Sequence, residues 1–148
     1  MQSKRFKFVA ASVWGLMFFV LDRVTKKLVL NFFFERKFLF NFQLNQNFVF
    51  GWSLSKAMII IFASVTIVAL FFFLIQTVRK QREEMFFLYL LIILGAFSNL
   101  LDRLLYGGVV DFIDLYFFPV FNLADIMITA GVILLVVFSW QNKDERVL

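Results

Sequence analysis

Residues 95–125 read GAFSNLLDRLLYGGVVDFIDLYFFPVFNLAD. An apolar helical run closes on Asn99, Asp102 and Arg103, Gly107 and Gly108 break it, Asp111 stands inside VVDFI, and Asp125 opens the next apolar run. Helix, break and helix at membrane depth is the pattern that decides the fold. A charged side chain inside a bilayer costs roughly 2.5 to 3.5 kcal/mol even on the lenient insertion scale, so intramembrane carboxylates mark functional sites by default. Asp111 and Asp125 are such residues.

The rest of the chain agrees with that setting. With 148 residues, 62% hydrophobic content, 20% aromatics and a mean hydropathy of +0.87, it is too apolar and too small for a soluble domain. Cysteine and histidine are both absent. There is then no disulfide framework, no Ser-His-Asp or Cys-His nucleophile and no ordinary zinc site. Carboxylate acid/base chemistry, carboxylate-ligated metals and a Ser-Lys dyad are what remain. The net charge of +5 does not imply nucleic acid. Lys and Arg gather beside apolar runs, where anionic headgroups and the positive-inside rule place them.

Working outward, residues 8–21 form a 14-residue apolar run behind a basic start. No small-residue cleavage site follows; the run passes into DRVTKKLVL, so it reads as a membrane helix over about 8–28 and not as a cleavable leader. Asp22 and Lys26 lie four apart on one face, acid before base, as an ion pair prefers. Residues 31–56 interleave aromatics with polar side chains and predict short strands, a small β-rich module against the membrane surface. Three further helices follow at about 57–78, 85–103 and 123–140. No repeat or second domain interrupts them, and residues 1–148 form a single membrane domain. Four spans put both termini on one side. Of fifteen basic residues, eight fall on the termini side and seven on the other, which favours cytoplasmic termini.

The chemistry concentrates at the ends of the last two helices. Asn99 and Arg103 share a helical face, with Asp102 beside them. If Asn122 caps the fourth helix, Asp125 falls at its third position, beside the positive end of the dipole. Capping explains Asn122 and Asp125 but leaves Asp111 without a reason. The glycine break allows the chain to return toward the helix ends and to bring Asp111 to the mouth of the fourth helix. Two carboxylates in one site cannot both ionise easily, so the pair holds one proton near neutral pH. Its two titrations then belong to the pair. Asp125, at a helix N-terminus, is expected to carry the charge more often.

The D-x-x-x-K of Asp22 and Lys26, the NQNFVFG led by Asn45, GAFSNLLDR, GGVVDFI around Asp111 and FNLAD ending at Asp125 resemble, in this order and spacing, the bacterial lipoprotein signal peptidases, signal peptidase II. The resemblance covers nearly the whole chain. It implies a membrane all-α bundle of four transmembrane helices with a small extracytoplasmic β-rich cradle. It also implies an aspartic endopeptidase that removes the signal peptide of a prolipoprotein just before a diacylglyceryl-modified cysteine. By that resemblance Asp111 and Asp125 are the catalytic dyad. Asn99, Arg103 and Asn122 line the site, Asn45 reaches in from the cradle, and Asp22 and Lys26 sit near the lipid side of the pocket. No cofactor or metal is implied. The partners are the lipidated signal peptide and membrane lipid, in the bacterial cytoplasmic membrane, with the protein a monomer and its active site near the extracytoplasmic face.

Departures from the family pattern are also visible. Asn47 and Ser98 stand where the family usually has Gly, and Phe48 and Val49 where it has small residues. These bulkier side chains are expected to alter pocket shape and with it signal-peptide preference. The 14-residue step from Asp111 to Asp125 predicts a small gating loop. Two further readings compete, beside that of a catalytically dead relative that binds signal peptides without cutting, against which the intact Asp pair speaks. One is a non-enzymatic membrane protein with a proton or cation path through the paired aspartates, though no repeat of the kind transporters carry is visible. A Ser55–Lys56 dyad is the other, and it is disfavoured because neighbours in an extended segment point to opposite faces.

Overall fold

A computed structural model describes residues 4–31, 40–46 and 55–144, the last three by backbone alone. Four helices dominate: α1 (Lys4–Asn31), α2 (Lys56–Arg79), α3 (Glu83–Tyr106) and α4 (Leu123–Asp144). All four are long and apolar enough to cross a membrane. Each outruns its apolar stretch by a few residues at one or both ends, because polar side chains of good helix propensity carry the hydrogen-bonded spiral into the headgroup zone. Ser55 caps α2, its hydroxyl accepting from the Met58 backbone N–H at 3.3 Å. Its structural role is therefore that of a cap, which removes the Ser-Lys alternative.

The central helix is α3, which packs against α1, α2 and α4 and buries the most side chains. Its approach to α4 is close. A Cβ on Gly95 would lie 2.7 Å from the Ala124 carbonyl oxygen, so only glycine admits the α4 backbone here. The first turn of α4, which carries Asp125, thus sits directly on α3.

Between the helices lies a two-stranded antiparallel sheet, β1 (Phe40–Asn45) and β2 (Val109–Ile113). The aromatic module contributes only one of the strands in the described residues. The other is VVDFI itself, which the sequence pattern does not show as a strand because it lacks polar alternation. Four of its five residues are buried. Val110 and Phe112 pack on Val29 of α1, while Val109 and Asp111 turn to the opposite face and line a cavity. A strand buried on both sides reads as a continuous apolar run.

One buried charge cluster ties these pieces together. The side chains of Asp22, Lys26 and Asp102 are fully buried. Lys26 Nζ lies 3.0 Å from Asp22 Oδ2 and 2.8 Å from Asp102 Oδ2. Arg23 Nη1 lies 2.5 Å from Asp102 Oδ1, so two carboxylates meet two cations and the cluster is neutral. Its remaining lone pairs hold backbone: Asp22 Oδ1 accepts from Ala124 N at 2.9 Å, and Asp102 Oδ2 from Val110 N at 3.3 Å. Thus α1 is bonded to the start of α4, and α3 to β2. Removing one partner of such a cluster strands a buried charge, at a typical cost of about 3 to 5 kcal/mol. Lys26→Met should therefore unfold at much lower temperature than the wild type in detergent, and equal melting of the two would show that the cluster does not hold the fold.

Candidate active site

Asp111 arrives at the site through a backbone feature. Gly107 ends α3 in the left-handed conformation (φ 77°), its N–H bonding the Arg103 carbonyl at 3.1 Å, and the chain turns back as β2. Asp111 Oδ2 then accepts from Asn45 Nδ2 on β1 at 3.0 Å, and Oδ1 from Asn122 Nδ2 at 2.6 Å.

Asp125 is held from the other side. Asn122 directly precedes α4, and the two residues form a reciprocal cap: Asp125 N donates to Asn122 Oδ1 at 3.0 Å, and Asn122 N to Asp125 Oδ2 at 3.2 Å. Asn99 Nδ2 donates to Asp125 Oδ1 at 2.8 Å. Both carboxylates therefore hang on Asn122, one through its amide and one through its backbone.

The amide orientations follow from what cannot be reversed. Lys26 can only donate, and its Nζ lies 2.9 Å from Asn99 Oδ1, so Asn99 must turn its NH₂ to Asp125. The backbone N–H of Asp125 likewise claims Asn122 Oδ1, leaving that side chain's NH₂ for Asp111 and for Asn99 Oδ1 at 3.2 Å. Asn45, Asn99 and Asn122 all donate to the two carboxylates. The burial of Asp111 nevertheless pushes its carboxyl up from 3.8 to about 6, despite the Asn45 hydrogen bond that favours its charge; the neighbouring Asp125 raises it further.

In front of the pair opens a cavity of about 1030 Å³. Asn45, Asn99, Arg103, Asp111 and Asp125 all line it. Its far wall is apolar, built from Ile126, Ala130 and Ile133 along α4 and from Phe118, Pro119 and Val120 of the β2–α4 connection. That connection is short and tied back, as its length predicts: Phe121 and Ile113 exchange backbone hydrogen bonds of 2.8 and 3.0 Å. Its tip exposes Tyr116, Phe117 and Phe118.

Three expected placements need correction. Asp22 and Lys26 do not sit on the lipid side of a pocket; both are wholly buried, because their charges are consumed by each other, by Asp102 and by Asn99. Asn122 does not line the cavity but lies behind it, completely buried, since its amide is spent on the two aspartates and Asn99. Ser98 does not shape the pocket either. It is buried in the charge cluster, donating to Asp22 Oδ2 at 2.5 Å and accepting from Arg23 Nη1 at 3.1 Å.

Arg103 does face the cavity, with Nη1 donating to the Asn99 carbonyl at 3.3 Å. Asp102 pairs with Arg23 and Lys26 rather than with Arg103. Asn47, Phe48 and Val49 lie outside the described residues. Sequence reasoning counted Arg23 among the helix-end cations open to a site without finding its partner, Asp102, and passed over Asp114. The latter is buried, accepts from Asn41 Nδ2 at 3.0 Å and from Tyr116 N at 2.9 Å, and so ties the aromatic tip to β1. A second charged residue in the apolar frame DFIDL was the available signal for Asp114. Arg23 offered none beyond its place next to Asp22.

Comparison with known proteins gives a consistent result. A family model described as signal peptidase (SPase) II matches residues 15–141. The lipoprotein signal peptidase of Caldicellulosiruptor bescii is 38% identical over 86% of this chain and 89% of its own. Those of Halothermothrix orenii (40% identical, 56% of this chain) and Buchnera aphidicola (37% identical, 63% of this chain) align over only 58% and 60% of their own lengths. Two solved bacterial membrane enzyme structures superpose with TM-scores of 0.79 and 0.73, at 26% and 29% identity. They cover 92% and 86% of this chain, and 90% of each of their own. With an aspartate pair at the mouth of a four-helix membrane bundle and a family match over most of its length, the chain belongs to the signal peptidase II family.

Proposed function

We propose that the chain is an aspartic endopeptidase that cleaves the signal peptide from diacylglyceryl-modified prolipoproteins just before the lipidated cysteine, with Asp111 and Asp125 as the dyad. The observation that carries this reading is the suspension of both carboxylates from Asn122 at the head of one large cavity in a chain of this family. Burial favours the neutral form of Asp111, so on this reading Asp111 starts with the proton the pair shares and Asp125 without it. Asp125 then takes a proton from water as that water attacks the scissile carbonyl. Asp111 donates to the carbonyl oxygen to give a gem-diol. As that collapses, Asp111 takes a hydroxyl proton back, C=O re-forms, and Asp125 passes the proton gained from water to the amine nitrogen as the C–N bond breaks. Arg103 supplies further donors to substrate carbonyls, and Asn45 and Asn99 hold the carboxylates in place.

The apolar α4 wall supports lateral entry from the bilayer, since a diacylglyceryl chain would lose favourable burial by leaving lipid. On this reading both termini are cytoplasmic, the sheet and dyad lie near the extracytoplasmic face, and the enzyme acts as a monomer without a cofactor.

The reading is tested by cleavage of a purified diacylglyceryl-modified prolipoprotein. Asp111→Asn and Asp125→Asn keep shape and lose the acid, so each should fall by about a thousandfold or more while remaining folded. Turnover by either folded variant at the wild-type rate would rule out the dyad. The pH profile gives a second check. With one shared proton required and Asp111 raised to about 6, kcat/KM should decline as pH rises above about 6. Asn45→Ala removes a donor to the ionised form and should move that limb to higher pH. Stability has a matching sign. A carboxyl raised from 3.8 to about 6 contributes stability fully below about pH 4, and this is lost as pH rises through about 6. Asp111→Asn should abolish that fall in melting temperature, and an unchanged slope would contradict the assignment.

A further inference from the structure

Gln43 belongs to no part of the machinery described above, yet its place in the fold is specific. It stands directly across from Asp111 in the β1–β2 register. Side chains of such a pair share one face of the sheet, with Cβ atoms roughly 5 Å apart. Asn45, two residues on, is on that same face and reaches Asp111 itself. The register of β1 shifts between Phe40 and Gln43, an irregularity of the kind that re-aims a side chain beside a site. Gln43 lines the cavity with the two aspartates and is exposed, and its side chain makes no hydrogen bond to the described residues. Asn45 and Asp111 on that face, and Asn99 in the same cavity, are all engaged. Gln43 therefore brings to the side of Asp111 a carboxamide that no described residue engages.

A carboxamide is matched by one chemical group above others. It donates through Nε2 and accepts through Oε1, which is the complement of a peptide unit that offers C=O and N–H together. From this, resting on the endopeptidase reading above, we propose that Gln43 is a substrate-binding residue that grips a main-chain peptide group of the signal segment beside the scissile bond. It holds the extended substrate against β1 so that the scissile carbonyl faces Asp111 and Asp125. Because Gln43 touches substrate and not the carboxylates, it sets affinity and alignment while leaving the dyad's titration alone.

The test uses full-length enzyme in nanodiscs and a synthetic diacylglyceryl peptide. Gln43→Leu keeps the size of the side chain and removes both polar functions. A neutral hydrogen bond is worth about a factor of five, so kcat/KM should fall by about fivefold or more, chiefly through KM, with the pH profile and melting temperature unchanged. Replacing peptide links beside the cleaved bond by ester links, one at a time, removes their N–H groups. At one of those positions the wild type should lose its advantage over Gln43→Leu. Equal kcat/KM for wild type and Gln43→Leu would overturn the proposal while leaving the endopeptidase reading intact. A shifted pH limb with unchanged KM would also overturn it, because Gln43 would then act on Asp111. Failure of the wild type to cut the lipidated peptide at all would instead sink the underlying function.

Discussion

The structure depends on how a single ammonium group is shared. Lys26 Nζ lies within 3.0 Å of Asp22, Asp102 and Asn99, which accounts for the three protons it carries. The carboxylates it satisfies are themselves bonded to backbone at the start of α4 and in β2. One buried cation from α1 thereby sets where α3, β2 and α4 meet, and Asp111 and Asp125 lie at that junction. In a bilayer this arrangement has a particular logic. Apolar side chains gain nothing by choosing a protein neighbour over a lipid tail, so helix register falls to close packing and to polar contacts. Gly95 supplies the first against α4, and the Lys26 cluster the second.

The same cluster reaches the chemistry through amide orientation. Because a lysine cannot accept, Asn99 has only one way round, and because a backbone N–H cannot accept, neither has Asn122. Their NH₂ groups are committed to the carboxylates before any substrate arrives. The two aspartates nevertheless differ. Asp111 sits on a buried strand, where loss of solvation favours its proton, whereas Asp125 is the capping carboxylate of a helix start. Two identical residue types thus sit on unlike elements, one on a strand and one at a helix start.

Ser98 shows how side-chain size misleads when position in space is unknown. Read as a bulkier replacement near a pocket, it suggests an altered substrate preference. In the fold it is a hydroxyl among charges, touching Asp22, Arg23 and Lys26 and lying away from the cavity. Gln43 shows the converse. Nothing in FNFQLN separates it from its neighbours, and only its register opposite Asp111 brings it to the site.

By itself the sequence determined the membrane setting, the four spans, the exclusion of thiol and imidazole chemistry, and the suspicion attached to Asp111 and Asp125. Those properties follow from composition and from periodicities that act within a few residues of each other. Tertiary structure alone decided that VVDFI is a strand, that Asp102 pairs with Arg23 across the α1–α3 contact, and that Asp22, Lys26 and Asn122 lie behind the cavity and not in its wall. Each of these is a long-range pairing among residues that look alike in one dimension. A charged side chain at membrane depth must find partners, but which partners it finds depends on helices brought together from distant parts of the chain.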